Sequence, residues 1–183
     1  VVNAKFVLST IDQCHEKGIK GLCIITAGFK ETGKEGAEVE KQLVEKIKEY
    51  GMRCVGPNCL GVVNTHPDVR MDGCFAESLP ERGNIGFVSQ SGALGGGILN
   101  ILKDLNLGFA QFISIGNQAD VNAETALEYW ENDEDVKQIL LYMESIQDPA
   151  NFRKLATRIT KKKPILALKS GRSAAGASAA SSH

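Results

Sequence analysis

A regular exchange of two hydrophobic periods constrains this 183-residue chain more than any other feature. "AKFVLSTIDQCHEKG" places Phe6, Val7, Ile11 and Cys14 at helical spacing and ends in a glycine suited to a C-cap. "KGLCIITAG" reads as a buried strand closed by Gly28. "EVEKQLVEKIKEYG" returns to the helical period through Val39, Leu43, Val44 and Ile47, and stops at Gly51. The short strand "MRCVG", the turn "PNCLG" and the run "VVN" follow. Such alternation buries both kinds of apolar surface as a parallel sheet covered by helices, an α/β architecture.

The rhythm breaks once, over residues 65–82, where "THPDVRMDGCFAESLPER" scatters two prolines among charges. A domain boundary is expected there, dividing residues 1–77 from 78–183. The second part then runs strand "NIGFVSQ", helix "SGALGGGILNILKDLN", strand "FAQFISIG", helix "ETALEYWEND", strand "QILLYMES", helix "DPANFRKLATRITKK" and strand "PILALKSG". Four strands separated by three helices make a flavodoxin-like, doubly wound unit.

Composition narrows the function. A net charge of −1 gives no electrostatic footprint for nucleic acid, and no apolar run is long enough to span a membrane. Five cysteines without a CxxC pair read as free thiols in a reducing cytoplasm. The chain opens on Val1 as if inside an element, so it is expected to be a piece of a longer protein, cut at both ends.

In open parallel sheets ligands bind beyond the carboxyl ends of strands. "TAGFKETGKEG" has P-loop-like spacing from Gly28 to Lys34, but Glu35 stands where a magnesium-binding hydroxyl is needed, which favours a plain glycine-rich loop at a ligand edge. "GPNCLG" puts Cys59 in a tight turn; it is either a small buried hydrophobe or part of a backbone that approaches a ligand closely. "VSQSGALGGG" leads a strand into a helix through Ser89, Gln90, Ser91 and Gly92, either a serine cap with glycines for close packing or an anion site. Glu144 ends the strand "LLYMES", where it could act chemically or cap the next helix, and "SIGNQAD" brings Asn117 and Asp120 to the same edge. His15 and His66 read as surface residues. The tail "SGRSAAGASAASSH" is either a flexible linker or a mobile segment that delivers a histidine for covalent phosphoryl transfer.

Taken in order, "GPNCLGVVN", "GFVSQSGALG", "SIGNQADV", "YMES" and "LKSGRSAAGASAASSH" resemble the α-type region of ADP-forming acetyl-CoA synthetases, the NDP-forming acyl-CoA ligases related to succinyl-CoA synthetase. The resemblance implies a partial Rossmann-like CoA-binding domain over 1–77 and a flavodoxin-like ligase domain over 78–183. It implies interconversion of acyl-CoA, ADP and phosphate with acid, CoA and ATP, with acetate as the acid, through an acyl phosphate and a phosphohistidine. It assigns His183 as that histidine and Glu144 as its partner, and Ser89, Ser91, Gly92, Ala93 and Leu94 as the phosphate site. Thr26, Ala27, Gly28, Asn58 and Cys59 fall to coenzyme A. The nucleotide, with Mg2+, is implied to bind an ATP-grasp domain or β subunit that this sequence lacks, in an oligomer that involves neither nucleic acid nor membrane. A non-catalytic CoA-binding module, such as those fused to protein acetyltransferases, is the alternative. Retention of Ser91, Glu144 and His183 together favours the enzyme. A flavin-binding role finds no aromatic-bearing phosphate loop to support it.

Overall fold

The computed structural model describes residues 2–77 and 80–171. Its first part is a helix, strand, helix, strand unit. Strands β1 (Gly21–Cys23) and β2 (Arg53–Val55) pair in parallel, and helices α1 (Ala4–Glu16) and α2 (Lys34–Glu49) pack on them. Val7 and Ile11 of α1 meet Leu43 and Ile47 of α2, with Phe29 and Cys54, in one buried cluster. Those are the positions that the helical period marks out. β1 is shorter than the apolar run around it. After Ile24 N–H donates to Val55 O, the partner strand ends, because Gly56 (φ 94°) turns the chain and Pro57 has no N–H to continue the ladder.

The larger sheet has six strands: β3 (Gly61–Asn64), β4 (Met71–Cys74), β5 (Arg82–Ser89), β6 (Phe109–Ser114), β7 (Gln138–Met143) and β8 (Ile165–Lys169). They lie in the order β4-β3-β6-β5-β7-β8. The four later strands are parallel to one another, as the alternation predicts, linked by α3 (Gly92–Asp104), α4 (Ala123–Trp130) and α5 (Pro149–Ile159). Adjacent β5 residues face opposite sides. Phe87 packs with Leu60, Leu99 and Phe112 beneath α3, while Val88 packs with Leu127, Trp130, Leu141 and Leu155 against α4 and α5.

The sheets do not divide at 77/78. The run "VVN", read as part of the first domain, is β3; it pairs with β4 as a hairpin that adds to β6 in antiparallel fashion and belongs to the larger sheet. β4 escaped notice in the sequence because it is an edge strand with three of its four residues exposed, so it carries no apolar alternation.

The two parts are stitched together by the segment after β6. Asn117, Ala119 and Val121 N–H groups donate to Pro57, Gly56 and Cys54 carbonyls at 2.9, 3.1 and 3.1 Å. The approach is close enough that a Cβ on Gly116, whose φ is 50°, would lie 2.3 Å from the carbonyl oxygens of both Pro57 and Asn58. Asp120, noted in the sequence as a candidate at this edge, instead binds Arg53 Nε and Cys54 N–H at 2.9 and 2.8 Å, and serves this junction.

Candidate functional site

β5 lies between β6 and β7, so the chain leaves β5 toward one side and returns to the other. Such a switch point opens a crevice at the carboxyl ends of the two diverging strands. β5 ends at Ser89 opposite Tyr142 of β7, and a cleft of about 720 Å³ opens just beyond them. Its walls bring together the α3 start, Glu144, the Asn58–Cys59 turn and Ala27. These elements come from four separate stretches of sequence.

At the α3 start, Ser91 is the N-cap and its Oγ accepts the Leu94 N–H at 3.3 Å. The Gly92 and Ala93 N–H groups belong to the first turn, which has no acceptors within the helix. Both residues line the cleft. Small side chains keep the approach open, and Gly95 draws the helix onto the sheet: a Cβ there would stand 3.0 Å from Phe112 Cζ. Ser89 and Leu94 are placed differently from the sequence expectation. Ser89 is fully buried and its hydroxyl donates to Ser91 O at 2.6 Å, so it shapes the turn. Leu94 contributes its N–H to the cap and does not line the cleft.

Glu144 follows β7 and is fixed through its backbone. Its N–H donates to Gln90 Oε1 at 2.8 Å, and its carbonyl accepts from Lys169 Nζ at 2.7 Å. Gln90 also accepts the Ser145 N–H at 3.0 Å and donates Nε2 to Ser145 Oγ at 3.0 Å. One amide thus clamps the turn after β5 to the turn after β7. Nothing in the sequence marks Gln90 for this role, since a glutamine's position does not reveal which backbone it will bridge.

On the opposite wall, the Gly56–Pro57 bond is cis and Asn58 takes φ 55°. This bend carries Cys59 into the cleft wall, with its Sγ 4.0 Å from Cys23 Sγ. Asn58 Nδ2 donates to Asn117 Oδ1 at 3.2 Å. Asn117 Nδ2 in turn donates to Glu31 Oε2 and Glu40 Oε2 at 2.6 and 2.8 Å. Lys30 pairs with Glu40 at 3.2 Å.

The glycine-rich loop is not an open phosphate cradle. The Glu31 carboxylate takes the Gly28 and Phe29 N–H groups at 2.5 and 3.1 Å. Partial burial works to raise the Glu31 pKa, but the bonds from Asn117, Gly28 and Phe29 together hold it below the usual carboxylate value. Gly28 is therefore occupied internally. Thr26 is turned away, donating Oγ1 to Val2 O at 2.8 Å and lining a separate cleft along β1. His66 is less superficial than expected, lying half-buried with Nε2 3.4 Å from Asp135 Oδ2. His183 lies outside the described residues. Among the described residues no cluster of His, Cys, Asp and Glu could hold a metal ion, and no helix is long and apolar enough to cross a membrane.

Comparison with known proteins gives this cleft a lineage. Residues 82–183 match the family model of the succinyl-CoA ligase like flavodoxin domain, and residues 1–65 match that of a CoA binding domain. The chain belongs to the succinyl-CoA ligase-like family. Several of its relatives in that family are named ADP-forming. The α subunit of acetate–CoA ligase [ADP-forming] II from Pyrococcus furiosus is 48% identical over 183 residues, covering 100% of this chain and 39% of the relative. A crystal structure from Pyrococcus horikoshii superposes with a TM-score of 0.89 at 46% identity, over 99% of this chain and 40% of that one. The dinucleotide forming acetyl-coenzyme A synthetase 1 of Ca. Korarchaeum cryptofilum, solved with phosphate and ADP, gives a TM-score of 0.89 at 37% identity, over 100% and 39%. The chain thus spans about two fifths of the length of each of these three relatives. The α/β fold expected from the sequence, with CoA-binding and flavodoxin-like parts, agrees with this membership.

Proposed function

We propose that this chain is the α-type part of an acid–thiol ligase that interconverts acyl-CoA, ADP and phosphate with acid, CoA and ATP. Acetate is the proposed acid, the cytoplasm the proposed compartment, and an oligomer that includes an ATP-grasp domain or β subunit the proposed setting. In this reading residues 1–77 serve CoA and residues 78–183 serve phosphoryl transfer. The observation that carries it is the single cleft at the β5/β7 switch point, where the α3 start, Glu144 and the Cys59 turn face one another. The ADP-forming relatives support the same reading.

The chemistry follows from the donors present. First-turn N–H groups of Gly92 and Ala93, backed by the α3 dipole, suit a phosphoryl group without a bulky cation. The small Gly92 and Ala93 side chains and the bend at Asn58–Cys59 leave room for a slender thiol-bearing arm, so the wall fits the pantetheine end of CoA. The thiol and the acyl phosphate would then meet across this cleft. Glu144, held by Gln90 and Lys169, is the proposed partner of His183, accepting one ring N–H so that the other nitrogen can take the phosphoryl group. Mg2+ is proposed to bind with the nucleotide at the ATP-grasp part.

Mixing the full-length parent protein with an ATP-grasp partner, acetyl-CoA, ADP and phosphate tests the proposal. ATP formation that depends on all four additions is the expected result. CoA binding without any ATP would instead support the non-catalytic module.

A further inference from the structure

Five cysteines are spread along the chain, yet two of them converge from different elements. Cys23 ends β1 and Cys59 follows the bend after β2, and their sulfurs lie 4.0 Å apart in hydrogen-bond contact. The two thiols are unlike. Cys23 is exposed and lines an open cleft of about 370 Å³ beside Val7 and Thr10. Cys59 is buried, 3.5 Å from Ile24 O. The contact between them lowers the Cys23 pKa, and the same contact, with burial, raises that of Cys59. Cys23 is therefore the sulfur that an oxidant in solution meets first, and Cys59 the one shielded beside it. Cys54 and Cys74 are less suited. Cys54 is buried, which with Asp120 nearby pushes its pKa up to about 12, and burial raises that of Cys74.

We infer that Cys23 and Cys59 form a peroxide-reactive dithiol, in which Cys23 is the attacking sulfur and Cys59 the resolving one, and that oxidation joins them in a disulfide across the cleft wall. In the first step the Cys23 thiolate attacks one peroxide oxygen. The O–O bond breaks, a Cys23 sulfenic acid forms, and the released hydroxide takes a solvent proton to become water. In the second step the Cys59 sulfur attacks Cys23 sulfur, the S–O bond breaks, and hydroxide leaves with the Cys59 proton as a second water. Two electrons pass from the thiols to hydrogen peroxide, and nothing else is consumed. The sulfurs must close by about 2 Å to reach the usual bond length of about 2.05 Å. The inference goes beyond the ligase reading and does not depend on it.

The test treats the reduced full chain with hydrogen peroxide, blocks residual thiols with N-ethylmaleimide, and maps cross-linked peptides by mass spectrometry. A Cys23–Cys59 disulfide reversed by dithiothreitol is expected, retained in Cys14→Ser and Cys74→Ser and absent from Cys23→Ser and Cys59→Ser. With dimedone present, Cys59→Ser should trap the sulfenic acid at Cys23, which keeps the assay informative without a cross-link. Dimedone adducts on any other cysteine first, or a disulfide that pairs Cys23 with Cys14 or Cys54, would overturn the inference.

Discussion

The Glu31 carboxylate sits where the Gly28 and Phe29 N–H groups converge, and Asn117 reaches it from the other part of the chain. Its folded pKa lies below the unfolded one. The sign is that of a depressed acid: the stabilisation is complete above the unfolded value of about 4.3 and disappears as pH falls through the lower folded value. Glu31→Gln should therefore flatten the acid limb of stability against pH. An unchanged limb, followed by urea melts, would contradict the role. Asn117→Ala should be harsher, because it strips the buried Glu40 of a donor as well. A loss of about 1–3 kcal/mol in urea denaturation is expected, the usual cost of leaving a buried polar group unmatched. Cys59→Ala removes only a small side chain from the cleft wall. It should weaken CoA binding modestly in calorimetry and leave histidine phosphorylation intact.

At the scale of elements, the cleft exists because loops from two sheets touch. Gly116 is where they meet, and an added Cβ would collide with two backbone carbonyls that cannot rotate away. Gly116→Ala should cost about 1–3 kcal/mol, from the strained left-handed backbone and the clash together. It should also lower CoA affinity, since the Pro57–Asn58 bend must move. Wild-type stability in this variant would show that the junction yields freely. The helices and parallel strands of the sheet were legible in the sequence because burial on one or both faces writes a period into it. Val39, Leu43 and Ile47 in α2 and the apolar run of β7 show this directly. β4 was not legible, since an exposed edge strand has no such period. The strand-end rule pointed to the loops that carry Gly92, Cys59 and Glu144, and the family resemblance added Ala93, while Gln90 and the Glu31–Asn117–Glu40 network were not foreseen. Long polar side chains reach partners far away in sequence, and their choice depends on the finished fold.

Across the whole molecule, the central claim is that one cleft holds a phosphoryl group at the α3 start and passes it to His183 with the help of Glu144. The backbone clamp on Glu144 through Gln90 and Lys169 fixes its position at the β5/β7 switch point. Losing an orienting partner of a developing charge costs about 100- to 1000-fold in rate. The most direct measurement is incorporation of labelled phosphate from ATP into the full-length parent protein with its ATP-grasp partner, followed by acid-lability analysis. Wild type should carry acid-labile phosphate, Glu144→Gln should acquire it about 100- to 1000-fold more slowly, and His183→Ala should carry none. Acid-labile label persisting in His183→Ala, or a wild-type rate in Glu144→Gln, would contradict the claim.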